Sequence, residues 1–257
     1  MWFRKKTAQI GTKASPLGEQ LNFSTAEAYN LLRTNFDFSL ASKKTGRVVA
    51  ITSSSAQEGK SYTAINLAYA LAKNGERVLL IDADLRRPSL ASTLNLARTP
   101  GLSTILCGGG GNPYRVGVLH ENLTVIPSGE IPPNPQELIG STRMKELIVE
   151  FSKSYDTIIV DCPPVNLVAD SLTIGDVVDG YLLVVRDAIT GRREISEAVK
   201  RLKFAGVRIL GFVYNAVGAH KDGKYYKKNY YKRYYSAWQV TEVATEVPNP
   251  LIKGEKG

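Results

Sequence analysis

Six short apolar runs, four to six residues each, recur along the chain with helical patterns between them: Val48–Thr52, Val78–Asp82, Leu123–Ile126, Thr157–Asp161, Tyr181–Val185 and Ile209–Tyr214. Each is nearly continuous in apolar residues rather than alternating. That is the pattern of strands covered on both faces, as in parallel sheets. Helical spacing is found in Thr25–Leu40, where Ala28, Leu31, Leu32 and Phe36 recur, and in Ser61–Lys73, Pro135–Lys153 and Arg192–Phe204. The third of these has a clear start: Asn134 as N-cap, Pro135 at the first helical position and Glu137 three residues after the cap. Strands alternating with helices predict an α/β fold, a doubly wound, mostly parallel sheet flanked by helices.

A chain of 257 residues holds one such domain plus tails. Residues 1–24 are polar, with Pro16 and Gly18, and are expected to form a flexible arm. Residues 25–218 carry the periodic patterns, and 219–257 form a tail in which the periodicity is lost. Cys107 and Cys162 stand far apart without a CxxC spacing, which argues against a disulfide framework or a zinc site and suits a reducing cytosol. MWFRKK at the start is followed by polar residues, so no secretory leader is expected. No run of about 18 apolar residues occurs, so no membrane span is expected either.

Three segments carry chemistry. The first is Ser54-Ser55-Ala56-Gln57-Glu58-Gly59-Lys60-Ser61, placed after a strand and before a helix. In that context backbone N–H groups and a helix N-terminus can face phosphates. Lys60 would reach the β- and γ-phosphates and Ser61 would ligate Mg²⁺. The segment departs from the GxxxxGK[ST] spacing in one respect: Ser54 stands at the first glycine. Nucleotide contacts are expected from Ser55, Ala56, Gln57, Glu58, Gly59, Lys60, Ser61 and the following Tyr62. The second is Leu79–Arg86, LLIDADLR, with Asp82 and Asp84 at a strand's carboxyl end, where ligands bind in open α/β sheets. The third is Ile158–Pro164, IIVDCPP. Its Asp161 has the Walker B position, holding Mg²⁺ through its water shell. Expected cofactors are a nucleoside triphosphate and Mg²⁺, the metal held by Ser61 and Asp161, a sparse set of the kind Mg²⁺ prefers.

Taken in order, SSAQEGKS, LLIDADLRRP and IIVDCPP, with PSGEIPPNPQEL, VVDGYLLVVR and a tyrosine-rich end, resemble the bacterial tyrosine kinases of capsule and exopolysaccharide synthesis, within the MinD- and ParA-like P-loop ATPases. The resemblance covers roughly residues 20–235. It implies an ATP-dependent protein-tyrosine kinase with ATP and Mg²⁺ as cofactors, in which Asp82 is the base and Lys60 the second catalytic residue, Asp84 joins Asp161 and Ser61 in organising Mg²⁺, and Asn215 contacts the adenine. It also implies a self-association helix in which Glu27, Asn30 and Arg33 occupy the places of a Glu and two Arg. A homo-oligomer is therefore expected, with Glu27 and Arg33 at its interface. Further implied are a membrane-bound polysaccharide co-polymerase (chain-length) activator, a cognate tyrosine phosphatase, and a cytoplasmic protein recruited to the inner face of the membrane by that activator. The basic helix Arg192–Phe204 corresponds to one implicated in regulation.

Residues 221–235 read KDGKYYKKNYYKRYY, six basic side chains against Asp222, a net +5 of the chain's +9. Tyr225, Tyr226, Tyr230, Tyr231, Tyr234 and Tyr235 are the expected phosphorylation sites. Such a tract also suits nucleic acid, since tyrosines stack on bases and lysines track phosphates. That leaves the catalytic set without an acceptor, so no nucleic-acid partner is expected. The rivals are a MinD/ParA-like positioning ATPase with a DNA- or membrane-binding tail, and a nucleotide-binding export scaffold without turnover.

Overall fold

The computed structural model describes residues 16–217. Met1–Asn215 forms one unit and Ala216–Gly257 a second, of which only Ala216 and Val217 are described. The six tail tyrosines lie outside the described residues.

The elements of the first unit are α1 (Phe23–Ser39), β1 (Arg47–Ser53), α2 (Lys60–Lys73), β2 (Val78–Asp82), α3 (Leu90–Thr93), α4 (Leu102–Leu106), β3 (Arg115–Val116), β4 (Leu123–Ile126), α5 (Pro135–Ile139), α6 (Thr142–Phe151), β5 (Thr157–Asp161), β6 (Gly180–Arg186), α7 (Arg192–Phe204) and β7 (Ile209–Asn215). The strands form one seven-stranded sheet in the order β3-β4-β2-β5-β1-β6-β7. All neighbours are parallel except β3 with β4. The six apolar runs are six of these strands, and the mostly parallel α/β architecture is as expected.

Alternation along each strand sends successive side chains to opposite faces. Val49, Ile51, Val78, Leu80 and Ile159 pack with Phe36 of α1 and Ile65, Leu67 and Leu71 of α2. Val48, Ala50, Leu79, Ile81, Ile158 and Val160 pack on the other side with Met144, Leu147 and Ile148 of α6 and with Ala198 and Leu202 of α7. Each fully buried Leu, Ile or Val contributes roughly 1.5–3 kcal/mol. Two such layers explain why β1, β2, β4, β5 and β6 read as unbroken apolar runs; β7, expected to be covered on both faces as well, lies at the sheet edge and is only half-buried, with Phe212 and Tyr214 exposed.

Three local expectations change in detail. The helix expected over Pro135–Lys153 is two helices, interrupted at Gly140–Ser141. There Ser141 Oγ accepts from Met144 N at 3.2 Å and starts a fresh N-terminus. At the head of α5, Asn134 holds the N-cap position and Pro135 follows it as expected, but the Asn134 side chain bonds no backbone N–H; its Nδ2 donates to Glu137 Oε2 at 2.6 Å. In α1, whose N-cap is Asn22, the inward face is Tyr29, Leu32 and Phe36, while Leu31 is 60% exposed beside the outward Phe23 and Phe38.

The foot of α1 is tied to the sheet by a buried guanidinium. Arg47 donates to Asp37 of α1 at 2.7 Å, to Thr157 Oγ1 and to Glu76, and lies 4.8 Å from the Phe36 ring centroid. Before α1, Leu17 is buried, Gly18 N donates to Asn66 Oδ1 at 3.0 Å, and Pro16 O accepts from Tyr62 Oη. Among the described residues no helix is long and apolar enough to cross a membrane.

Candidate active site

The carboxyl ends of β1, β2 and β5 lie side by side at the centre of the sheet. Register pairs Ile51 with Asp161 and Asp82 with Asp161. The loop from Ser54 to Gly59 leaves β1 there and enters α2, whose first residue is Lys60. Gly59 has φ 91° and Gln57 φ 64°, so the loop turns through two left-handed residues. A cleft of about 590 Å³ opens above it, lined by Ala56, Gln57, Gly59, Lys60, Ser61, Tyr62, Asp84, Arg86, Arg87, Ser89, Pro163, Pro164, Leu167 and Val168.

Lys60 Nζ lies 2.9 Å from Asp84 Oδ2, 3.5 Å from Asp161 Oδ1 and 3.3 Å from Ser61 Oγ. Burial opposes the ammonium, but Asp161 and Asp84 outweigh it, and the Lys60 pKa is raised. It therefore stays charged. Asp82 is fully buried. Its carboxylate accepts from Leu90 N at 3.1 Å and Asp84 N at 3.3 Å. Burial first, and Asp161 next, push its pKa up to about 8. Asp161 is raised as well, chiefly by burial. Its Oδ2 is buried without a hydrogen-bond partner.

That orphaned oxygen, Asp84 and the Ser61 hydroxyl, which accepts from Ser89 Oγ at 2.9 Å, form an all-oxygen donor set next to the loop. Such a set fits Mg²⁺, which takes few carboxylates together with phosphate oxygens and water. Among the described residues no group of three or more His, Cys, Asp or Glu is arranged to hold a metal by itself.

The residues expected from the sequence thus divide. Lys60, Ser61, Tyr62, Ala56, Gln57, Gly59 and Asp84 line the cleft. Asp82 and Asp161 lie at the same strand ends, fully buried. Ser55 is half-buried in the loop, with its carbonyl accepting from Ser53 Oγ. Glu58 is buried and turned inward, its carboxylate accepting from Ser54 N and Ser54 Oγ. Asn215, ending β7, donates its amide to Glu58 O at 3.0 Å. Glu27 accepts from Asn30 Nδ2 and Arg33 pairs with Asp37 at 3.5 Å, both on α1. Cys162, beside Asp161, is buried and its thiol is pushed up by burial, so it stays protonated.

Several residues of the site were not singled out from the sequence. Arg86 makes a two-pronged pair with the buried Asp170 at 2.8 and 3.1 Å, and with Arg87 adds positive charge to the cleft. The available signal was their adjacency to Asp84 in LLIDADLRRP. Thr190 and Arg186 brace the loop from 132 and 129 residues away, and no local pattern points to them.

Gly59 has a packing reason as well as a conformational one. A Cβ there would come within 2.0 Å of Asn215 Nδ2. Gly59→Ala is expected to lose about 1–2 kcal/mol from the left-handed backbone alone, before Asn215 is displaced. In a domain of this size that lowers the melting temperature by roughly 2–8 °C, which thermal denaturation followed by circular dichroism will measure.

Comparison with known proteins bears on this geometry. The family model of an AAA domain matches residues 46–204. Tyrosine-protein kinase YwqD of Bacillus subtilis is 39% identical over 201 residues, 78% of this chain and 84% of that protein. The solved kinase domain of Escherichia coli tyrosine kinase ETK superposes with a TM-score of 0.70 at 34% identity, covering 75% of each chain. The septum site-determining protein MinD of Pyrococcus horikoshii, complexed with Mg-ADP, gives a TM-score of 0.57 at 26% identity over 68% of this chain and 72% of that one.

Proposed function

The chain belongs to the bacterial tyrosine-protein kinases, and on that premise we propose that it transfers the γ-phosphoryl group of ATP to the tail tyrosines Tyr225, Tyr226, Tyr230, Tyr231, Tyr234 and Tyr235, and so regulates capsular or exopolysaccharide synthesis. The observation that carries this reading is the bridge made by Lys60 between Asp84 and Asp161 at the mouth of the phosphate loop. A permanently charged ammonium stands where a triphosphate would arrive, against carboxylates at the sheet's carboxyl edge.

Phosphoryl transfer rests on positioning and charge neutralisation more than on covalent help. Backbone N–H groups of the loop and the start of α2 would cradle the phosphates, and Lys60 would move from the carboxylates to the β/γ oxygens. Mg²⁺, held through Ser61, Asp84 and Asp161, would neutralise charge on the phosphates. A tyrosine hydroxyl has a pKa near 10, so a nearby base helps to take its proton. Asp82 has a proton affinity close to ambient pH, which supports its assignment to that role. Arg86 and Arg87 add positive charge at the cleft for the transferring group. Asn215 supports the loop through the Glu58 carbonyl, and an adenine contact belongs to the same residue in this reading.

The kinase acts as a homo-oligomer whose contact includes Glu27 and Arg33. A membrane-bound polysaccharide co-polymerase of the chain-length type activates it at the inner face of the membrane, and a tyrosine phosphatase resets it. Purified protein incubated with ATP and Mg²⁺, with and without an activator's cytoplasmic peptide, should gain anti-phosphotyrosine signal confined to the tail. ATP hydrolysis without phosphotyrosine would favour a positioning ATPase instead.

A further inference from the structure

The phosphate loop lacks the first glycine of the usual spacing, and the structure replaces its backbone freedom with a side-chain clamp. Ser54 stands at that position and is fully buried. The Glu58 carboxylate, 1% exposed, reaches back across the loop and accepts from Ser54 N at 2.8 Å and Ser54 Oγ at 2.6 Å. Its Oε1 also accepts from Thr190 Oγ1 at 2.7 Å. Thr190 in turn accepts from Arg186 N at 2.9 Å. Arg186 closes the ring by donating to Gln57 O at 2.7 Å, on the left-handed residue that bends the loop.

We propose that Glu58 and Thr190 are positioning residues that hold the loop in its phosphate-receiving shape, and that Thr190 ties that shape to the entry of α7. The inference rests on the reading of the cleft as a nucleotide site. Neither side chain lines the cleft, so both act through the loop backbone. Thr190 directly precedes Gly191, the N-cap of α7. A displacement of α7 therefore pulls on the hydroxyl that, among the described residues, reaches Glu58 from outside the loop. Glu58 has the acceptor capacity for three donors, and buried polar groups are costly to leave unpaired.

The test uses the full chain and the fluorescent nucleotide mant-ADP with Mg²⁺. Thr190→Val keeps the shape and removes the hydroxyl; Thr190→Ser keeps the hydroxyl. A hydrogen bond to a charged group is lost in the first variant only, so its Kd should rise on the order of tenfold. The KM for ATP should rise with it, while kcat at saturating ATP stays within about twofold of wild type. Thr190→Ser should bind as wild type. Glu58→Gln should weaken binding, and Thr190→Val combined with it should add little, because both break one network. Wild-type affinity in Thr190→Val, equal weakening by Ser and Val, or fully additive losses in the double variant would each overturn the proposal. If Thr190→Val does not fold, Glu58→Gln with unchanged affinity overturns it instead. Failure of the wild-type protein to bind mant-ADP at all would remove the nucleotide-site reading and this clamp with it.

Discussion

Lys60→Met is expected to yield a folded protein with neither phosphotyrosine nor ATPase activity. The loss is larger than that of one contact. Its ammonium is the countercharge for Asp84 and Asp161, with Asp82 close behind. Removing one partner from a buried ion pair typically costs about 3–5 kcal/mol when the other charge is stranded. Here the carboxyls can escape that cost by taking up protons. The variant should therefore fold at mildly acidic pH and melt earlier as pH rises. Mixing it with an active chain that lacks residues 219–257 separates two modes of transfer. Label on the inactive chain's tail establishes transfer between copies; no label, with both parents folded, leaves only transfer within a copy. Wild-type phosphotyrosine in the purified variant alone would refute the assignment of Lys60.

Asp82→Asn is expected to bind Mg·ATP nearly as wild type and to slow transfer by about 10²–10⁴, the usual cost of losing a general base. Ordinary transfer rates at saturating ATP would place the base elsewhere. A second readout comes from protons rather than turnover. An aspartate in the unfolded chain has a pKa of 3.8, whereas burial and the neighbouring Asp161 push folded Asp82 up to about 8. Between those values the folded state holds a proton that the unfolded state has released. Stability is thus fully present below the lower value and is lost as pH rises through the upper one. Wild-type protein without Mg²⁺ or nucleotide should melt progressively earlier from mildly acid to mildly alkaline pH, and Asp82→Asn should show a shallower decline. Parallel pH profiles for the two proteins would remove Asp82 from this role.

What was legible in the sequence was what local pattern can carry. A strand buried on both faces is written as an apolar run whatever surrounds it, so β1, β2, β4, β5 and β6 were readable; β7, half-buried at the sheet edge, was readable by its apolar run alone. Asp82, Asp84 and Asp161 sit at or just past the ends of such runs and Lys60 and Ser61 open the helix after the loop from β1, and strand pairing then brings these ends together. Features decided by competition between neighbours were not readable. The break between α5 and α6 depends on Ser141 offering its hydroxyl as a cap within an otherwise helical pattern. Which apolar face of α1 turns inward depends on Phe36 meeting the sheet, which leaves Leu31 outside. The two-residue β3 is too short to have a period. The clamp on the loop joins residues more than 100 positions apart, and only the fold makes them adjacent.

The buried Arg47 bears on a different event. By holding Asp37, Glu76 and Thr157 while stacking on Phe36, it fixes the lower end of α1 against the sheet in the free protomer. Side chains and segments that must be ordered on association charge an entropic toll against affinity. If a second copy docks on this helix, as proposed, it would meet Leu31 and Phe38, 60% and 76% exposed, on a segment already tied down, and less ordering would be charged against association. In the self-association proposed above, the guanidinium would act as a preorganiser of quaternary structure from well inside the surface.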